Sequence, residues 1–262
     1  MKKGRYSLIE KGYITVIAGP CAIESESQLY AIAKIVKESG LSFLRGGAYK
    51  PRTSPYTFQG LETKGLKLLE KAGKEFGLKT VTEVTDADTV QRVADHVDIL
   101  QIGTRNMSNF ALLKKVAKAI HASDKKVILK RGWAATIKEW LLAVEYLTSG
   151  GEGAEVVLCE RGIRTFEPYT RFTLDLSAVP VIKKLSKLPI IIDPSHATGQ
   201  SDLVIPMSRA AIAVGADGLI VEVHNTPEKA LCDGQQSLNK AQLEEMLKQV
   251  RFIANFFDKK IK

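Results

Sequence analysis

Eight times along this chain, a short run of apolar and β-branched residues is followed by a stretch of helical period. No other feature limits the fold as strongly. The runs are ITVIAG (14–19), SFLRGG (42–47), KTVTEV (79–84), ILQIG (99–103), KVILKRG (126–132), EVVLCERG (155–162), PIIID (189–193) and GLIVEV (218–223). Their apolar character is nearly continuous, as in parallel strands covered on both faces. Between them, IKEWLLAVEYL (137–147) repeats near 3.6 residues and sets Trp140, Leu141, Val144 and Leu147 on one side. Ser25-Glu26-Ser27-Gln28 has the spacing of a capping box and marks the first helix start. Eight such units in 262 residues predict the α/β class and a (β/α)8 TIM barrel, a single catalytic domain over 1–262 with no regulatory domain. The segment RYSLIEKG (5–12) predicts a small N-terminal extra strand or hairpin closing the barrel's bottom. No GxGxxG follows the first run, which argues against a dinucleotide-binding open sheet.

The formal charge is +9, from 38 basic and 29 acidic residues. Many of the lysines fall on repeats such as KLLEKAGKEF (67–76) and NKAQLEEMLKQV (239–250), where they alternate with glutamate as on a solvated helix face. No continuous basic face with interleaved aromatics is present, which excludes a nucleic-acid partner. No apolar run approaches the roughly 18 residues that span a membrane, and the N-terminus lacks the apolar core of a signal peptide. Cysteines at 21, 159 and 232 form no CxxC pair, which predicts a reducing compartment, the cytoplasm. A net positive field draws small anionic substrates.

A barrel of this kind builds its active site at the C-terminal strand ends. In order these read Gly19-Pro20-Cys21, Arg45-Gly46-Gly47, Glu83, Gly103-Thr104-Arg105, Lys130-Arg131-Gly132, Glu160-Arg161-Gly162, Asp193-Pro194-Ser195-His196 and Glu222-Val223-His224. Any one of these is readily a salt bridge or a satisfied strand-end group. The whole set is costly unless paired or used. Arg45, Lys50, Arg105, Lys130 and Arg161 are five cations that would repel around one mouth, which implies a ligand carrying phosphate, or phosphate plus carboxylate. Cys21, His196, Glu222 and Asp233 form a mixed sulfur, nitrogen and oxygen set suited to Mn²⁺, Fe²⁺, Co²⁺ or Zn²⁺. Spacing alone is a weak signal for them, since an isolated cysteine is more often an inert core residue. Closure of the barrel makes strands one, seven and eight neighbours; His224 and Cys232 remain rival ligands. After strand two comes a stiff, cationic, hydroxyl-rich loop, GGAYKPRTSPYTFQG (46–60).

The motifs AGPCAIES, RGGAYKPRTSP, IGTRNM, LKRG, ERGIRT, DPSHATG and CDGQQSL run in order between about Gly12 and Ser237. Together they resemble the 3-deoxy-D-arabino-heptulosonate 7-phosphate (DAHP) synthases, in the short form without a regulatory domain that is related to 3-deoxy-manno-octulosonate 8-phosphate synthases. The resemblance implies a TIM barrel that condenses phosphoenolpyruvate with D-erythrose 4-phosphate and water, the first step of the shikimate pathway. It also implies one divalent metal ion (Mn, Fe, Co or Zn) and a homo-oligomer, dimer or tetramer. By motif, the metal falls to Cys21, His196, Glu222 and Asp233. Phosphoenolpyruvate falls to Arg45, Lys50, Arg105, Lys130, Arg161 and His196. The sugar phosphate falls to Lys50, Pro51, Arg52, Thr53, Ser54 and Asp233, and the catalytic roles to Lys130, Glu83 and His196. Lys130 and Glu83 are the candidates for proton transfer. On this reading the cations and the metal ligands are two separate sets.

The octulosonate synthases are the rival reading. They carry Lys-Ala-Asn-Arg-Ser/Thr where this chain has Lys50-Pro51-Arg52-Thr53-Ser54, a shorter and stiffer loop that favours the four-carbon sugar. A non-catalytic anion-binding barrel would be signalled by a lost metal ligand, and all four are present.

Overall fold

The eight apolar runs are eight parallel strands that close into a ring. They are β1 (Tyr13–Gly19), β2 (Phe43–Arg45), β3 (Lys79–Val84), β4 (Ile99–Ile102), β5 (Lys126–Lys130), β6 (Glu155–Glu160), β7 (Ile190–Ile192) and β8 (Gly218–Glu222). Each pairs with the next, and β1 pairs with both β2 and β8. The computed structural model describes residues 7–51, 54, 56–123, 125–149 and 154–262. Its helices are α1 (Glu26–Glu38), α2 (Glu62–Phe76), α3 (Val90–His96), α4 (Phe110–His121), α5 (Ile137–Thr148), α6 (Ala178–Leu185), α7 (Pro194–Thr198), α8 (Ser201–Ala213) and α9 (Lys240–Phe256). Eight of them follow the eight strands. The short α7 is an insertion between β7 and α8.

Strand side chains alternate between two environments. Ile14, Val16 and Ala18 of β1 pack into the shell beneath the helices, whereas Ile17 joins Phe43, Val81, Ile99, Ile128, Val157, Cys159, Ile191 and Ile220 inside the barrel. Covering both faces explains why the runs read as continuously apolar. On α5 the buried stripe is Trp140, Ala143, Val144 and Leu147, with Leu141 half-buried at its edge.

The expected N-terminal strand is not found over residues 7–12, and residues 1–6 lie outside the described residues. Leu8 instead plugs the barrel's bottom, fully buried among the interior residues. Burial of such a side chain stabilises by about 1.5–3 kcal/mol. Glu155 at the foot of β6 holds the plug, with Oε1 accepting from Ser7 Oγ (2.9 Å), Leu8 N (2.8 Å) and Ile9 N (3.2 Å). The added strand comes from the other terminus: β9 (Lys260–Ile261) pairs in parallel with Tyr13 and Ile14, outside the ring. Only half of the capping box at α1 forms. Ser25 accepts from Gln28 N, but the Gln28 carboxamide reaches back to Glu24 N and to Ala22 O. Among the described residues no helix is long and apolar enough to cross a membrane.

Candidate active site

Two residues beyond the apolar interior positions, seven strands place a polar residue on the inward side at the same end. Arg45 follows Phe43, Glu83 follows Val81, Gln101 follows Ile99, Lys130 follows Ile128, Arg161 follows Cys159, Asp193 follows Ile191, and Glu222 follows Ile220. The same alternation turns Arg131 and Glu160 away from the barrel axis. Arg131 donates to Glu160 Oε2 (3.1 Å) and to Asp175 Oδ2 (2.8 Å), a buried structural cluster. Two strand-end polar groups are therefore explained by packing. Glycine makes room at the mouth: a Cβ on Gly103 would lie 2.0 Å from Glu83 Oε1, and one on Gly19 would lie 2.0 Å from the Arg45 carbonyl oxygen.

The four residues expected to bind metal do meet. Their ligand atoms, from Cys21, His196, Glu222 and Asp233, all lie within 4.8 Å of one another. Cys21 follows β1 and Glu222 ends β8. Helix α7 places His196 by starting on Asp193 as its N-cap with Pro194 at its first turn. Asp193 accepts from His196 N (2.9 Å) at Oδ1 and contacts His196 Nδ1 (2.8 Å) through Oδ2, which leaves Nε2 facing Glu222 Oε1 at 3.3 Å. Cys21 Sγ lies 3.1 Å from Asp233 Oδ2. A buried sulfur, an imidazole nitrogen and two carboxylates fit a divalent transition ion. Of the rivals, His224 turns towards Glu24, with 3.6 Å between Nε2 and Oε2. Cys232 packs beside the cluster with its sulfur 3.0 Å from that of Cys21.

The electrostatics suit such an ion. Burial works against charge on Glu222, but the His196 ring and the Arg45 guanidinium outweigh it and lower its pKa. Burial likewise opposes ionisation of Asp233, and His196 and Arg171 hold its pKa below the ordinary value. Burial, more than any neighbour, depresses the pKa of His196 and so favours the neutral ring that a metal needs. The Cys21 thiol is pushed well up, first by burial and then by Cys232 and Glu222, so taking up a metal there releases a proton.

The cations do not stand apart from these ligands. Arg45 donates to Glu222 Oε1 (2.5 Å), Lys50 to Cys21 Sγ (3.0 Å), and Lys130 to Asp193 Oδ2 (2.5 Å). Three of the five cations read from the sequence as a separate set are therefore interlocked with the proposed ligand cluster. Above it opens a cavity of about 450 Å³, a size typical of small-ligand sites. Lys50, Pro51, Ser54, Glu83, Arg105, Lys130, Arg161, His196 and Asp233 line it, while Arg45, Cys21 and Glu222 lie beneath. Arg52 and Thr53 lie outside the described residues.

Residues not singled out from the sequence complete the wall. Trp133 and Phe172 stack with centroids 6.5 Å apart and planes at 7°. Arg105 and Arg164 each sit 5.1 Å from the centroid of Trp133, and Arg161 sits 4.1 Å from that of Phe172. All five line the cavity, as does Arg171. Arg161 is nearly fully buried, and its NH1 has no hydrogen-bond partner among the described residues. The ERGIRT motif contains Arg164, but nothing in its spacing marks that arginine as aimed at the cavity. Trp133 and Phe172 are isolated loop aromatics without a recognisable pattern.

The DAHP synthetase I family profile matches residues 8–255. A Thermotoga maritima protein named phospho-2-dehydro-3-deoxyheptonate aldolase is 52% identical over 253 residues, spanning 97% of this chain and 73% of its own length. A Syntrophotalea carbinolica protein named 2-dehydro-3-deoxyphosphooctonate aldolase is 32% identical, spanning 92% of this chain and 90% of its own. The crystal structure of a T. maritima DAHP synthase superposes with a TM-score of 0.92 at 50% identity, covering 97% of this chain and 72% of that one. A truncated form of the 3-deoxy-D-arabino-heptulosonate 7-phosphate synthase from that organism gives 0.88 at 48% identity, covering 97% and 91%.

Proposed function

The chain belongs to the DAHP synthetase I family, and from that premise we propose that it condenses phosphoenolpyruvate with D-erythrose 4-phosphate and water, releasing phosphate and DAHP. Arg161 is the observation that carries this reading. The residue is 4% exposed, its NH1 has no hydrogen-bond partner among the described residues, and it lines a cavity that Arg105 and Lys130 also line. Burial lowers its pKa, and a buried cation in that setting is stabilised by an anionic ligand.

In this reading the phosphate and carboxylate of phosphoenolpyruvate are held by Arg161, Arg105 and Lys130. The sugar phosphate lies along the loop after β2, where Lys50, Pro51 and Ser54 line the cavity; Arg52 and Thr53 are assigned there by resemblance. Cys21, His196, Glu222 and Asp233 would hold the divalent ion, which supplies Lewis acidity towards the aldehyde carbonyl. Carbon 3 of phosphoenolpyruvate bonds to the aldehyde carbon, and the new hydroxyl takes up a proton. Water adds at carbon 2 and gives up a proton, and phosphate then leaves by cleavage of the carbon–oxygen bond. Lys130 Nζ and the Glu83 carboxylate line the cavity and are the proposed proton carriers, with Lys130 oriented by Asp193. Arg161 and Lys130 stabilise the anionic intermediate.

The three cysteines are free thiols, which supports a reducing compartment such as the cytoplasm. Exposed Phe252, Phe256 and Phe257 on and just beyond α9 support a homo-oligomer. The deciding experiment compares kcat/KM for erythrose 4-phosphate and arabinose 5-phosphate, each with phosphoenolpyruvate and a divalent ion, by phosphate release. The four-carbon sugar is expected to be preferred. Preference for the five-carbon sugar would transfer the chain to the octulosonate reaction, and no turnover with either would leave a binding barrel.

A further inference from the structure

We infer that Gln236 and Arg171 are positioning residues that hold the two carboxylate ligands of the metal centre, Glu222 and Asp233, in a fixed relation. The inference rests on the metal-dependent reading above. Gln236 ends a 3₁₀ turn, Gly234–Gln236, whose N-cap is Asp233. Residues three apart eclipse in such a turn, so Asp233 and Gln236 share one side of it. The Gln236 side chain is buried, 2% exposed, and Nε2 donates to Glu222 Oε2 at 2.6 Å. Its Oε1 accepts from Arg171 NH1 at 2.9 Å, and the same NH1 lies 3.4 Å from Asp233 Oδ1.

The chemistry of the groups allows one arrangement. A carboxamide has one donating and one accepting end, whereas a guanidinium only donates. Arg171 therefore sets the amide so that its NH₂ faces Glu222. The other Glu222 oxygen is taken by Arg45 at 2.5 Å, so both ends of that carboxylate are fixed in direction. Asp233 sits at φ 53°, ψ 34°, a left-handed conformation uncommon among non-glycine residues, though aspartate adopts it more readily than most. Arg171 is anchored in turn, with its backbone N–H donating to Thr198 O at 3.0 Å. The loop after β6 thus reaches across the mouth to the ligands on β8 and after it.

The test is metal uptake by the metal-free full-length protein. Co²⁺ is titrated against a competing chelator, and the sulfur-to-cobalt charge-transfer band reports coordination by Cys21. Outer partners of metal ligands typically contribute tenfold to a hundredfold in affinity. Gln236→Leu is expected to weaken Co²⁺ binding by about that factor and to shift the cobalt spectrum. Arg171→Met, at a more exposed position that tolerates change, is expected to weaken it by about tenfold, with Arg171→Lys recovering part of the loss. A purely structural role would lower the metal-free Tm and leave affinity and spectrum unchanged; that result overturns the inference. Wild-type uptake with both variants within twofold of it overturns the inference alone. No uptake by the wild type overturns the metal-dependent reading as well.

Discussion

The two halves of the mouth handle charge in opposite ways. On the side of β7 and β8, carboxylates meet cations that the fold brings to them: Glu222 pairs with Arg45, Asp193 with Lys130 and His196, and Asp233 with Arg171. On the side of β4 to β6, guanidiniums lean on aromatic faces, Arg105 and Arg164 on Trp133 and Arg161 on Phe172. At Arg161, stacking on Phe172 orients the guanidinium, and among the described residues its NH1 has no hydrogen-bond partner. On the proposed reading, the first half would take a cation and the second would be completed by an anionic ligand. The contrast teaches that a buried charge is stabilising or costly according to what the fold pairs it with.

The largest expected effect falls on the metal half. Chelation of the divalent ion, or Cys21→Ala, should cut kcat by about a thousandfold, the scale of losing a Lewis acid worth several kcal/mol. The circular dichroism of the variant should stay native. A Cys21→Ala protein with unchanged turnover would remove the sulfur from the proposed ligand set.

A matched pair of arginine deletions sharpens the contrast most directly. Arg45→Met leaves Glu222 buried without its cation and should lower stability in urea by about 3–5 kcal/mol. Arg161→Met removes a guanidinium whose NH1 has no hydrogen-bond partner among the described residues, so stability should hold or rise. Its cost should appear instead as a rise of about 10–100-fold in KM for phosphoenolpyruvate. Equal destabilisation by both would erase the distinction between the halves.

The smallest effect concerns the aromatic wall. Phe172→Leu takes away the face beneath Arg161 and should raise KM for phosphoenolpyruvate by about two- to fivefold, with kcat nearly unchanged. A change in KM for the sugar phosphate alone would place that wall against the other substrate.

Strand positions were legible because covering both faces writes an unbroken apolar run, as in ILQI and EVVLCE. The extra strand was not, because Lys260–Ile261 carries no pattern of its own and becomes a strand only by meeting Tyr13 and Ile14. Leu8 is equally silent in sequence, since a plug is defined by the hole it fills. Arg131 and Arg161 look alike in KRG and ERG. One faces a carboxylate cluster in the helix shell and the other the cavity, according to one-residue steps in register.

By itself, then, the sequence determined the repeated strand–helix unit, the family and the identity of four residues, Cys21, His196, Glu222 and Asp233, that meet in a cluster able to hold a metal ion. Those follow from local apolar period and from motifs, both carried on contiguous residues. Tertiary structure alone decided how the charges pair: Arg45 with Glu222 across 177 positions, Gln236 with Glu222, and the arginines on Trp133 and Phe172. Coulomb and stacking interactions act over a few ångströms, and only closure of the ring brings such distant residues within that range.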